Sequence, residues 1–212
     1  TGGCGFIGSN FIHFLLENKL SSQIINLDKM TYAGNKDNLS TFEHDDSYYF
    51  VKGDICNQTT VRDILIKYNP DVLVHFAAES HVDRSIKNAE DFIQTNLVGT
   101  YVLLEVYRAY FESGKNKRIR LIHVSTDEVY GSLGTTGDFT EGSPYRPNSP
   151  YSASKAGSDH LARAWANTFG LPITITNCSN NFGPNQHDEK LIPTIIRSAL
   201  GDSVIPIYGA GN

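Results

Sequence analysis

An α/β fold built on a doubly wound parallel sheet is what this sequence predicts, and three observations carry that expectation. Short apolar runs recur along the chain, and helical spacing separates them. A glycine-rich turn, Gly2-Gly3-Cys4-Gly5-Phe6-Ile7-Gly8, opens directly on the first helical stretch. A carboxylate, Asp28, closes the run that follows.

The elements follow in order. From Gly8 to about Leu20, Phe11, Ile12, Leu15 and Leu16 recur at helical spacing. Ile24 to Asp28 and Tyr48 to Val51 read as strands, and Val61 to Ile66 marks a helix that ends before Pro70. Val72-Leu73-Val74-His75-Phe76-Ala77 is continuously apolar, as a buried parallel strand requires. Ile119 to Val124 repeats that signal, and Ile173 to Thr176 is entered from Gly170 and Pro172. Strands alternating with helices imply βαβ units with helices on both faces of one sheet. The stretch from about Gly131 to Pro150 is rich in Gly, Pro, Ser and Thr, and a loop of that length usually serves a site. Residues from about Glu90 to Phe111 form a helix that is apolar nearly all round, which predicts a second burial partner, most simply another subunit.

Composition narrows the function. With 212 residues, 40% of them apolar, the chain has enough to bury a core. A net charge of -5 and the lack of any Lys/Arg run argue against nucleic acid. Cys4, Cys56 and Cys178 are odd in number and show no CxxC spacing, so a disulfide framework is not expected and a reducing compartment, the cytoplasm, is. No run of 18 apolar residues predicts a membrane span. The seven histidines show no metal-ligand spacing; His75 and His160 read as packing residues, and His81 follows a strand end with no assigned role. Both ends look trimmed. The chain opens on the glycine turn with no strand before it, and Pro206-Ile207-Tyr208-Gly209-Ala210-Gly211-Asn212 stops in a turn.

The chemistry sits in three places. Gly2, Gly5 and Gly8 permit a tight turn, let backbone N–H groups approach a pyrophosphate and allow close helix packing. Asp28, 20 residues after Gly8, is placed to accept ribose hydroxyls and to repel a 2′-phosphate, which favours NAD over NADP; Lys29 moderates that preference. Asp54-Ile55 after the third strand either flanks an adenine or caps a helix. Tyr151 and Lys155 stand at i and i+4, on one helix face, where an ammonium would lower the phenol pKa and make Tyr151 a usable base. Asp127 and Glu128 follow a buried strand at its carboxyl end, where open α/β sheets bind ligands. Two close carboxylates resist double ionisation, so one can act as acid and the other as base. Thr126 adds a hydroxyl to hold a substrate oxygen or support Tyr151.

Together these residues resemble the extended short-chain dehydrogenase/reductase family. Within it, the chain is similar to the branch that dehydrates dTDP-glucose. The resemblance rests on Thr1 to Gly8, Phe76-Ala77-Ala78-Glu79-Ser80-His81-Val82-Asp83-Arg84-Ser85, Ser125-Thr126-Asp127-Glu128-Val129-Tyr130-Gly131, and Tyr151 with Lys155. Asn177 to Pro184, Glu189 to Pro193 and Pro206 to Gly209 extend it. It implies an NAD-binding Rossmann domain over residues 1–177, without its first strand, and the start of a truncated, smaller substrate lobe over 178–212. Tyr151 and Lys155 would oxidise C4 of the sugar with NAD, Glu128 would remove the C5 proton as Asp127 protonates the departing C6 hydroxyl, and hydride would return to C6.

By the same resemblance, the glycine turn with Phe6 and Ile7 would contact NAD, as would Asp28, Lys29 and Thr31. Asp54, Ile55, Phe76, Ala77, Ala78, Ser80, Thr95 and Asn181 complete that set with Tyr151 and Lys155. The sugar nucleotide would meet Ser80, Thr126, Asn180, Lys190, Leu191 and Pro206, Ile207 and Tyr208. A homodimer through helices about 90–111 and 151–169 is implied, with no metal, nucleic acid or membrane. The alternatives are an epimerase or decarboxylase of the same family, and a non-catalytic NAD-binding regulator; Asp127 speaks against the former and the intact Tyr151/Lys155 pair against the latter.

Overall fold

The computed structural model describes residues 1–205. Five parallel strands form as the apolar runs predict: β1 Ile24–Asp28, β2 Tyr48–Lys52, β3 Val72–His75, β4 Arg120–Thr126 and β5 Ile173–Cys178. Their order is not one continuous ladder. β1 pairs with β2, and β3, β4 and β5 form a second set, all in parallel register. Thr1 and Gly2 join the two sets. Thr1 N donates to the Val74 carbonyl, Phe76 N–H donates to the Thr1 carbonyl, and Gly2 N–H donates to the Leu27 carbonyl. Thr1 and Gly2 thus bridge the two sets, and the expected single sheet becomes two ladders joined at that point.

Helices connect the strands: α1 Phe6–Glu17, α2 Gln58–Tyr68, α3 Val82–Lys87, α4 Glu90–Phe92, α5 Thr100–Glu112, α6 Pro150–Phe169 and α7 Leu191–Leu200. A one-turn 3₁₀ segment, Asp127–Tyr130, leaves the end of β4, and another runs over Lys36–Phe42. α4 and α5 are joined by a π-helical segment, Ile93–Gly99, so the predicted long helix over 90–111 carries a distortion that periodicity does not reveal. Such bulges often occur at functional sites, and this one brings Asn96 into the interior.

The main core lies between the sheet and α2, α5 and α6. Leu103, Leu104, Val106, Tyr107 and Tyr110 of α5 pack with Leu65, Leu121 and Ala162. The apolar-all-round helix is therefore divided: that stripe is buried, while Ile93 and Tyr101 remain exposed. α6 starts firmly, because Pro150 occupies its first turn and Ser149 and Ser152 form a capping box. It ends on Gly170 at φ +64, a left-handed conformation that glycine adopts without strain.

Candidate active site

The carboxyl ends of all five strands and the N-termini of α1 and α6 meet at one cavity of about 280 Å³. It is bordered by the glycine turn, by the ends of β1 to β5, and by the first turns of α6. Ligands bind outside the carboxyl ends of strands in such sheets.

At one end the walls are backbone. A Cβ on Gly8 would sit 2.3 Å from the Gly2 carbonyl oxygen, and one on Gly2 would sit 2.4 Å from Ala77 N, so neither position admits another residue. Gly2 also holds φ +73. The N-cap of α1 is Gly5, which offers no side-chain acceptor, and its first turn holds no acidic residue. Gly5, Phe6, Ile7 and Gly8 line the cavity, and first-turn N–H groups, which have no intrahelical partner, suit an anion there. Asp28 is buried, and its two carboxylate oxygens accept from Cys4 N–H (2.9 Å) and Met30 N–H (2.8 Å), which aims the group into the pocket. Lys29 pairs with Asp54 at 2.8 Å, so its charge is neutralised beside the site. Asp54 does not cap α2; Asn57 does, accepting from Thr60 N–H. A dinucleotide with its pyrophosphate on α1 and its ribose on Asp28 fits these residues.

At the other end side chains set the chemistry. Tyr151, Lys155, Thr126 and Glu128 all line the cavity. Lys155 is buried and donates to the Val124 carbonyl at 2.8 Å. Burial lowers its ammonium to about 8, with Asp159 opposing. Tyr151 behaves differently from the sequence expectation. Burial and then the charge of Glu128 push its phenol above the ordinary value, and only the neighbouring Thr126 hydroxyl acts the other way. The ammonium that was to lower it does not outweigh them. Thr126 caps the 3₁₀ turn: its hydroxyl accepts from Glu128 N–H at 3.2 Å and donates to Asp127 at 3.4 Å. Burial, then the neighbouring Asp127, raise the Glu128 carboxyl, while Lys190 opposes them. Of the two carboxylates, Glu128 faces the cavity.

The remaining expected residues divide. Phe6, Ile7, Thr31, Ile55, Phe76, Ala77, Ala78, Ser80, Thr95, Asn180, Asn181 and Lys190 all line the cavity. Asp127 lies one residue outside its wall, and Leu191 starts α7 with 68% exposure, away from it. Pro206, Ile207 and Tyr208 lie outside the described residues. His75 is buried and bonds Thr100 as a packing residue, whereas His160 is exposed against Tyr145 rather than in the core. Among the described residues no group of three His, Cys, Asp or Glu side chains could hold a metal.

Sequence reasoning missed several residues. Asn96, in the π segment, accepts from Glu79 N–H and donates to the Glu79 carbonyl, both at 2.9 Å, and also reaches Ser154 at 2.9 Å. It locks the Ala77–Ser80 wall to the helix that carries Tyr151. Across the cavity mouth, Glu189 meets His81 at 3.2 Å and forms an ion pair with Arg84, whose guanidinium stacks 3.8 Å from the Tyr32 ring. Lys190 donates to the Ser80 carbonyl at 3.2 Å. These contacts tie the segment after β5 to the walls of the pocket and account for His81.

Comparison with known proteins agrees with this geometry. The family model described as GDP-mannose 4,6 dehydratase matches residues 1–212. The chain belongs to that family. Within the family it is 50% identical to a protein of Sinorhizobium fredii named as a probable dTDP-glucose 4,6-dehydratase, over 100% of this chain and 61% of the relative. It is 53% identical to the dTDP-glucose 4,6-dehydratase of Haemophilus influenzae, over 100% of this chain and 63% of that one. The crystal structure of the Streptomyces venezuelae dTDP-glucose 4,6-dehydratase, solved with NAD bound, superposes with a TM-score of 0.91 at 48% identity, covering 99% of this chain and 64% of that one. The chain therefore spans about three fifths of the length of these family members.

Proposed function

We propose that this family member carries the catalytic part of an NAD-dependent dehydratase that converts a nucleoside-diphosphate glucose, most simply dTDP-glucose, to its 4-keto-6-deoxy form. The observation that carries the reading is the convergence of Tyr151, Lys155, Thr126 and Glu128 on the cavity that also holds the glycine turn and Asp28. The names of the relatives support the same substrate.

NAD, held along α1 and Asp28, would supply the hydride acceptor for C4 and the hydride donor for C6. Tyr151 takes the C4 hydroxyl proton; its raised phenol needs the Lys155 ammonium and the Thr126 hydroxyl to stabilise the phenolate as it forms. A C4 ketone acidifies the C5 proton. Glu128, facing the cavity with its carboxyl raised by burial and by Asp127, is thereby a stronger base and would remove that proton. Asp127, joined to it through Thr126, is the group left to protonate the departing C6 hydroxyl. Ser80, Asn180 and Lys190 line the same cavity and would orient the sugar nucleotide.

The reading includes a homodimer through helices about 90–111 and 151–169. Exposed Ile93, Tyr101 and Phe169 support it, and sedimentation of the full-length protein tests it. It also includes a cytoplasmic setting, supported by three free cysteines. Among the described residues no helix is long and apolar enough to cross a membrane.

Full-length protein incubated with dTDP-glucose and NAD should yield a 4-keto product. No product, together with turnover of UDP-galactose, would overturn the dehydratase in favour of an epimerase. Exchange of the C5 hydrogen with solvent should vanish in Glu128→Gln.

A further inference from the structure

Behind the Tyr151/Lys155 pair lies a buried carboxylate that the mechanism does not use. Asp159 follows Tyr151 and Lys155 at the same four-residue interval along α6, so all three lie on one helix face, with neighbouring side chains about 5–6 Å apart. It is almost wholly buried, at 2% exposure. An ionised carboxylate is stable there only if its oxygens are paired. Four groups from three other segments do this. His123 Nε2 lies 3.0 Å from Oδ1; Ser125 donates to Oδ2 at 2.7 Å, Tyr145 at 3.0 Å and Asn177 at 3.2 Å.

The donors come from places that matter for the site. Ser125 sits in β4 between Val124, whose carbonyl anchors Lys155, and Thr126, which caps the Asp127–Glu128 turn. Asn177, in β5, also donates to the Thr126 carbonyl at 3.3 Å. Tyr145 is the anchor of the long loop after Gly131, where it packs against Tyr130. One anion thus gathers β4, β5 and the loop under Lys155.

The charged and titratable groups around Lys155 are few. On α6 itself are Asp159 and Tyr151. From β4 comes His123, from β3 His75, from β5 Cys178, from the 3₁₀ turn Glu128, and from the loop Tyr145. Burial keeps both histidines below their ordinary value, and His123 is lowered further by Lys155, so neither is cationic near neutrality. Asp159 itself is held ionised: burial opposes this, but His123, Ser125 and Lys155 outweigh it.

We propose that Asp159 is a positioning residue for the Tyr151/Lys155 pair, acting as the buried counter-charge that keeps Lys155 an ammonium and as the hub that seats Ser125, Asn177 and Tyr145 around Thr126. The role rests on the dehydratase reading only for its catalytic consequence; the charge coupling stands without it.

The test is the titration of Lys155 in the full-length protein with NAD bound, followed by NMR of lysine labelled with ¹³C at Cε and assigned with Lys155→Arg. In Asp159→Asn the Lys155 titration should fall by about one pH unit or more, as loss of a close opposite charge requires. In Asp159→Glu it should return toward the wild-type position. If catalysis follows, the whole bell-shaped profile of C4 oxidation should move to lower pH in Asp159→Asn, because the same anion also raises Tyr151. An unmoved Lys155 titration in a folded Asp159→Asn overturns the proposal, whatever substrate is turned over. A moved titration beside a wild type that does not turn over dTDP-glucose would instead overturn the substrate reading alone. Should Asp159→Asn fail to fold, the reciprocal measurement applies: Lys155→Met should raise the Asp159 carboxyl titration, and no change there overturns the coupling.

Discussion

The two ends of the cavity are built on different principles. At the glycine turn the geometry is enforced by backbone: Gly2 and Gly8 leave no room for a Cβ, and Asp28 is aimed by two peptide N–H groups. At the Tyr151 end the geometry is enforced by side chains that lean on one another, from Thr126 through Ser125 and Asn177 to Asp159. A backbone cradle is insensitive to pH and intolerant of volume. A side-chain network tolerates small changes of shape but depends on charge.

Substitutions can break that contrast in order of size. Tyr151→Phe should lower the rate of C4 oxidation by roughly a hundred- to ten-thousand-fold, the range for removing a general base, and leave NAD affinity nearly unchanged in a titration of the full-length protein. Gly8→Ala should do the reverse. The added methyl meets the Gly2 carbonyl, so stability falls by about 1–3 kcal/mol in denaturant unfolding and NAD affinity falls with it. Asn96→Ala, which strands two backbone groups of Glu79, should cost a similar or smaller amount, about 1–3 kcal/mol, and loosen the Ala77–Ser80 wall in hydrogen exchange.

The smallest and most telling effect is with pH. Burial lowers the Lys155 ammonium from its ordinary 10.5 to about 8. Between those values the unfolded chain binds more protons than the folded one, so stability should rise with pH by up to about 1.4 kcal/mol per unit from this group. Below about 8 the buried ammonium is fully present and so is its cost. Activity that needs the ammonium should fall over the same window. The difference in unfolding free energy between wild type and Lys155→Met, measured from pH 7 to 10.5, should therefore climb as turnover declines. Parallel decline of both would contradict a buried, charged Lys155.

Much of this was legible in the chain. Glycine spacing, Asp28 at a strand end, and Tyr151 four residues before Lys155 are local patterns, and local sterics decide what they do. The strands were legible for the same reason, since a buried parallel strand must be apolar on both faces. Asn96 was not, because a π turn inserts one residue into a helix without disturbing its apolar content. Asp159 was not either. In sequence it is one acid in a helix, and only the arrival of Ser125, Tyr145 and Asn177 from distant segments makes its burial tolerable.

By itself, the sequence determined the α/β layering, the glycine turn and the identity of the chemical groups, because each depends on neighbours within a turn or two. The tertiary structure decided how Thr1 and Gly2 bridge two ladders, which of Asp127 and Glu128 faces the cavity, and the upward displacement of Tyr151. Those outcomes depend on desolvation and on charges brought together across the sheet, and neither exists until the chain has packed.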